Sequence, residues 1–206
     1  TGTWSYTTPV LAEGNHVLTI RETDPAGNQS GPSAGFTVVV DSVSATPVIT
    51  NVTDNVGNAA TTVVSGELTN DATPTLTGTA DANSVVTIFD GGTQIAVVTA
   101  DGTGAWSFTP SPALSNGAHT LTFTATDAVG NASAPTAGYV INVDTLPPAA
   151  PVISSVIDDV GSVTGPVTGT NPTNDTRPTL SGTAEANATV RIYDGITLVG
   201  TVTADG

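Results

Sequence analysis

Residues 117–127 read GAHTLTFTATD, and their alternation decides the fold. Leu121, Phe123 and Ala125 fall on one side of the run, and Thr120, Thr122, Thr124 and Thr126 on the other. A period of two marks a half-buried antiparallel strand and excludes a helix. Upstream lie three short β-rich runs, PTLTGTA (74–80), SVVTIFD (84–90) and IAVVTA (95–100). Each closes on turn residues: ADAN (80–83), DGG (90–92) and ADGTG (100–104). Downstream, DAVGN (127–131) is a turn and GYVINVD (138–144) a further strand. The pattern predicts strands at 47–54, 74–80, 84–90, 94–100, 105–110, 118–126 and 138–144, with a long polar stretch, 55–73, joining the first two.

The rest of the chain repeats this unit. TGTWSY (1–6) returns as TGAWSF (103–108), and GNHVLTIRETDPAGNQSGPSAGFTVVVD (14–41) as GAHTLTFTATDAVGNASAPTAGYVINVD (117–144). PVITNVTDNVG (47–57) returns as PVISSVIDDVG (151–161), NDATPTLTGTADAN (70–83) as NDTRPTLSGTAEAN (174–187), and TIFDGG (87–92) as RIYDGI (191–196). An offset of roughly one hundred residues is a string of whole domains and too long for a solenoid unit. Residues 1–43 read as the last three strands of one unit, 44–147 as a complete unit, and 148–206 as the first four strands of a third. Thr1 reads as a cut end, because Gly206 matches Gly102 and Thr1 matches Thr103. The linkers SVSATP (42–47) and TLPPAAP (145–151) are short, Pro-containing spacers. Seven short strands per repeat, with turns about every 8–12 residues, predict an all-β chain of tandem immunoglobulin-like β-sandwiches.

Composition narrows the function. Eighteen acids face three bases, Arg21, Arg177 and Arg191, for a net charge of −15. Such a chain repels nucleic acid and anionic membrane, and no apolar run is long enough to span a bilayer. It favours cations. There is no Cys to staple the sandwich. His16 and His119 recur at one place in two repeats, which points to a turn or core role and not to catalysis. No nucleophile arrangement or zinc cluster is visible. Trp4 and Trp106 open equivalent strands and read as core plugs, with a sugar-stacking platform as the other possibility. The Asn-x-Ser/Thr triplets carry no weight in so Asn- and Thr-rich a chain.

The combination of PTLTGTADAN, TIFDGG, GAWSF, the run Gly-x-His-x-Leu through Asp127 to Gly130-Asn131, and the closing Val143-Asp144-Thr145 resembles bacterial immunoglobulin-like repeats. These are the stalk repeats of giant non-fimbrial adhesins exported by type I secretion from Gram-negative bacteria. The resemblance covers the whole chain. It implies a secreted, cell-surface filament, rigidified by calcium and involved in attachment or biofilm, with neighbouring repeats as partners and any host-cell or matrix ligand held by other regions.

The acids fit that expectation by placement. Asp54, Asp71, Asp90 and Asp144 all arrive at one pole of the middle unit, and Asp158 and Asp175 are the counterparts of Asp54 and Asp71. Asp81, Asp101 and Asp127 lie at the opposite pole, facing Asp41, while Glu185 and Asp205 occupy the matching turns of the last segment. Asp is common in turns for its own sake. Converging carboxylates without His or Cys nevertheless select calcium among metals, so Asp41, Asp54, Asp71, Asp90, Asp101, Asp127, Asp144, Asp158, Asp175 and Glu185 are the candidate ligands. Two other classes stay open: a binding module that recognises glycan or protein through its turns, and an accessory module of a secreted enzyme. An unusual aromatic cluster in one unit's turns would favour the first, and an attached catalytic domain the second.

Overall fold

The computed structural model describes residues 2–57, 60–162 and 164–206; Thr1, the counterpart of Thr103, lies outside them. Every regular element among the described residues is a strand. The chain forms two compact units, Thr1–Thr145 and Leu146–Gly206.

The first unit opens with a ribbon, β1 (Gly14–Leu18) antiparallel to β2 (Phe36–Val40). The middle repeat follows with β3 (Val48–Asp54), β4 (Thr61–Thr62), β5 (Leu68–Thr69), β6 (Thr75–Thr79), β7 (Val85–Asp90), β8 (Thr93–Thr99), β9 (Ala105–Phe108), β10 (Gly117–Thr126) and β11 (Tyr139–Val143). These form two sheets, ordered β4-β3-β6-β9 and β5-β11-β10-β7-β8. This is the expected sandwich, and all seven expected strands are present within a few residues of their limits. The stretch 55–73 holds more than a connection. It pairs with β3 through β4, then crosses to the other sheet, where β5 runs parallel to β11. Two-residue strands carry no alternation, so the sequence does not show them.

The alternation of β10 does what its pattern demands. Leu121, Phe123 and Ala125 are fully buried, and the intervening threonines are only partly covered. Phe123 stands opposite Ile88 on β7, and Leu76 opposite Phe108 between β6 and β9. Val52, Val86, Ile141 and Val143 complete the core. Trp106 packs against Phe123 with ring centroids 5.3 Å apart, and lies over Gly78, its partner across the β6–β9 ladder. A Cβ at Gly78 would fall 2.2 Å from the indole Cζ2 and 2.2 Å from the Val48 carbonyl oxygen. The missing side chain therefore makes room for the tryptophan.

The second unit contains β12 (Val152–Asp158), β13 (Gly165–Pro166) and β14 (Thr179–Thr183) in the order β13-β12-β14, together with the hairpin β15 (Thr189–Asp194) and β16 (Thr197–Thr203). Its register copies the middle repeat. Val152 pairs Thr183 with an irregularity between Ile153 and Ser155, as Val48 pairs Thr79 with one between Ile49 and Asn51.

Two substitutions test this packing. Phe123→Ala should lower the unfolding free energy of the middle repeat by ~3–5 kcal/mol, read by denaturant melts; an unchanged midpoint would contradict the burial of β10. Gly78→Ala adds one methyl where none fits and should cost ~1–3 kcal/mol while shifting Trp106 fluorescence.

Candidate functional site

Three groups of the predicted acids have separate surroundings. The first closes the pole where β3 ends. Asp54 and Asp71 are both buried. The Val56 amide donates to Asp54 Oδ1 at 2.8 Å, and the Thr69 hydroxyl to Asp54 Oδ2 at 2.7 Å. Thr69 Oγ1 in turn accepts from the Asp71 amide at 3.0 Å. Asp71 takes the amides of Thr73 and Asn55 on its two oxygens. The chain leaves its sheet here, so these N–H groups have no ladder partner, and the carboxylates supply one. The Asp144 amide donates to the Thr69 carbonyl at 2.8 Å, tying the end of β11 to the same threonine.

The second unit repeats the clasp. Asp158 accepts from the Val160 amide and the Thr173 hydroxyl, and Asp175 from the Arg177 and Asp159 amides. The hydrogen bond from Thr173, followed by that from the Val160 amide, holds the Asp158 carboxyl below the usual carboxylate range. Thr69 and Thr173 were not legible as members; their place in the repeated x-Asn-Asp-x segment was the available signal.

The second group is a histidine clasp. His119 Nδ1 lies 2.6 Å from Asp90 Oδ2, and Nε2 lies 2.9 Å from the Ser115 carbonyl and 3.4 Å from its hydroxyl. Ser, His and Asp thus come together, which the sequence reading did not anticipate. They are not a nucleophile triad. Nε2 lies closer to the Ser115 carbonyl than to the Ser115 hydroxyl, so the ring is turned to a backbone acceptor, and the arrangement favours a proton on each ring nitrogen. Asp90 therefore serves β10's entry as the counter-charge of His119. Burial pulls the His119 pKa down, but the Asp90 hydrogen bond, the Ser115 carbonyl and the Asp90 charge outweigh it, and the net shift is upward from 6.5.

The third group sits between the first ribbon and the middle repeat. Asn131 Nδ2 donates to Asp127 Oδ2 at 2.7 Å, to the Asp41 carbonyl at 3.1 Å and to Asp41 Oδ1 at 3.4 Å. Asp81 Oδ2 accepts from the Ala45 amide at 2.7 Å. Asp41 and Asp127 thus meet as expected, through an asparagine that the reading of acids passed over although DPAGN and DAVGN repeat it. Slight burial would raise Asp127, but Asn131 and the amides of Asn131, Val129 and Gly130 bring it below the ordinary value. Asp101 does not join them. Its carboxylate takes the Thr103 hydroxyl and amide and the Ala105 amide of its own turn. Glu185 and Asp205 lie in exposed turns of the second unit. Among the described residues, no three His, Cys, Asp or Glu side chains are grouped closely enough to hold a metal ion by themselves, and no helix is long and apolar enough to cross a membrane.

A two-sheet sandwich with polar clasps at its poles, parts of which recur in the flanking segments, defines an immunoglobulin-like module. The chain matches the family model of the bacterial Ig-like domain over residues 1–42 and 48–145, and it belongs to that family. No curated protein matches it.

The upward shift of His119 gives a signed pH dependence. A folded pKa above the unfolded value stabilises fully below pH ~6.5, and the contribution fades as pH rises through the folded value. The melting-temperature gap between the wild type and His119→Gln should be widest near pH 5.5 and shrink by pH 9. A constant gap would mean that the ring is held without its charge.

Proposed function

We propose that the chain is an extender segment of a secreted bacterial surface adhesin, a structural stalk without catalysis whose repeats are stiffened by calcium where they meet. The carrying observation is the direct polar contact between successive repeats, from Asp41 to the Asp127–Asn131 turn. Three oxygens converge there on a single amide nitrogen. Hard oxygen donors suit calcium, and turning the Asn131 amide would present Oδ1 in place of Nδ2. Asp41, Asp127 and Asn131 would then hold the ion, which supplies a charge cross-link between repeats and lowers their mutual repulsion. A family of Ig-like modules, a repeat period of whole domains and short Pro-containing linkers support the extender reading.

Extracellular modules bind calcium with dissociation constants of ~10⁻⁴ to 10⁻³ M. At the tighter end, 10 mM calcium amounts to ~100 dissociation constants and about 2.7 kcal/mol of added stability. Calorimetry at fixed ionic strength should show the melting temperature rising from chelator to 10 mM calcium, with most of the rise lost in Asp127→Asn. A wild-type melt indifferent to calcium would remove the ion from the proposal. Scattering profiles identical in chelator and calcium would remove the stiffening.

A further inference from the structure

Asn116 occupies a short segment of the middle repeat that is pinned on both sides. Before it, the Ser115 carbonyl lies 2.9 Å from His119 Nε2; after it, Gly117 opens β10. Its own Oδ1 accepts twice from Thr145, from the backbone amide at 2.9 Å and from the hydroxyl at 2.9 Å. Thr145 is where the chain leaves the first compact unit, so this side chain straps down the exit of the repeat. Asn116-Gly117 is also the one Asn-Gly pair in the sequence. Every other asparagine is followed by a residue that carries a side chain.

That pairing has a chemical consequence. An asparagine side chain is thermolabile because the backbone nitrogen of the next residue can attack its Cγ. A side chain on that residue shields the nitrogen, and glycine does not: a Cβ at Gly117 would meet nothing within 4 Å, and φ there is +122°. Asn116 and Gly117 are both exposed, so water reaches them. Gly117 pairs with Val143 at the terminal rung of the β10–β11 ladder, where backbone hydrogen bonds open most readily. The two Thr145 donors draw electrons from the Asn116 side-chain carbonyl. They are already in place for the negative charge that builds on Oδ1 when Cγ is attacked.

We propose that Asn116 is a self-modification site, deamidating through a cyclic imide with Gly117 to an aspartate that takes over the bonds to Thr145. The Gly117 nitrogen gives its proton to water and bonds to Cγ. The bond from Cγ to the side-chain nitrogen breaks, and ammonia leaves with a proton returned from water. Water then adds at Cγ, the bond from Cγ to the Gly117 nitrogen breaks, and that nitrogen recovers its proton. The sum is amide plus water giving carboxylate plus ammonium, with nothing oxidised or reduced. Opening of the imide at its main-chain carbonyl would instead give isoaspartate, with one more methylene in the main chain ahead of β10 and the carboxylate drawn back onto Cα. Thr145 polarises Cγ and not the main-chain carbonyl, so it steers the opening towards aspartate. A neighbouring segment shows that a carboxylate fits this place. Glu13 matches Asn116 and Ser42 matches Thr145, and the Glu13 oxygens accept from the Ser42 amide at 3.2 and 3.1 Å and from its hydroxyl. The aspartate therefore keeps the strap and adds one negative charge at the exit of the repeat.

The test is ageing of residues 1–206 in chelator, so that its outcome is independent of calcium, at mildly alkaline pH, followed by proteolysis and mass spectrometry. The expected result is replacement of NH2 by OH at Asn116 well before any is detected at Asn131 or Asn142, which precede Ala and Val. Aspartate should exceed isoaspartate in the folded chain, whereas a free peptide spanning Asn116-Gly117 should give mainly isoaspartate. Thr145→Val removes the hydroxyl and keeps the backbone donor. It should slow the reaction roughly threefold, within the worth of one hydrogen bond, and raise the isoaspartate share. Asn116→Asp should melt no lower than the wild type. Asn116 reacting no faster than Asn131, a Thr145→Val chain reacting as fast as the wild type, or an Asn116→Asp chain melting clearly below it would each overturn the proposal.

Discussion

Trp106 resting on Gly78 is the contact on which the middle sandwich depends. The chain has no disulfide and only 4% aromatic residues, so one indole spans the gap between the two sheets. It reaches Phe123 on the opposite sheet only because β6 presents no side chain beneath it. An alanine at position 78 would push the ring outward, and the Phe123–Ile88 pairing would lose its lid. Most other core residues are Val, Ile and Leu on alternating positions, interchangeable in kind. The indole and its glycine are not, since each fixes the size of the other.

With the core so economical, the poles decide whether the sheets stay together. There the acids do work that the net charge conceals. Asp54, Asp71, Asp101, Asp127, Asp158 and Asp175 all accept from backbone amides, so peptide dipoles, and not the three arginines, compensate their charge. Side-chain hydrogen bonds from Thr103 and Thr173 hold Asp101 and Asp158 below the ordinary carboxylate value, with backbone amides adding to each, and at Asp127 the upward push of burial is outweighed by the Asn131 side chain together with the backbone amides. A depressed folded pKa stabilises above the unfolded value and is lost as pH falls through the folded one. These groups therefore act on the acid side, well away from the pH range in which His119 loses its proton. The two sets of clasps can be separated by titration alone.

The fold was legible because period two in residues 118–126 and the repeated turn motifs are local signals. Strand limits came out within a few residues for the same reason. What stayed hidden was long-range or atomic. β5 is two residues long and pairs in parallel with β11, about seventy residues away, so no window contains both. Asp90 and His119 were each singled out, one as a metal ligand and one as a turn residue; nothing in a linear pattern says that positions 29 apart share a proton. Asp54 and Asp71 were grouped correctly at one pole, but Thr69, which joins them, looks like any threonine in a Thr-rich chain. Attention to carboxylates alone missed Asn131, whose amide is the atom on which Asp41 and Asp127 converge.

Asn131 also shows how a junction is made from parts the module already has. In the first segment, Asp24 accepts from the Asn28 amide and side chain, both at 2.8 Å. In the middle repeat the same turn, Asp127 to Asn131, keeps those bonds and adds Asp41. The turn's own Asp–Asn bonds are the same in both segments, so the turn is shaped from within. The only new component is the Asp that closes the preceding strand, and the sequence supplies one at Asp41 and again at Asp144. A preorganised acceptor loses little freedom when its partner docks. One short motif can therefore serve both as a hairpin lock and as a coupling between repeats.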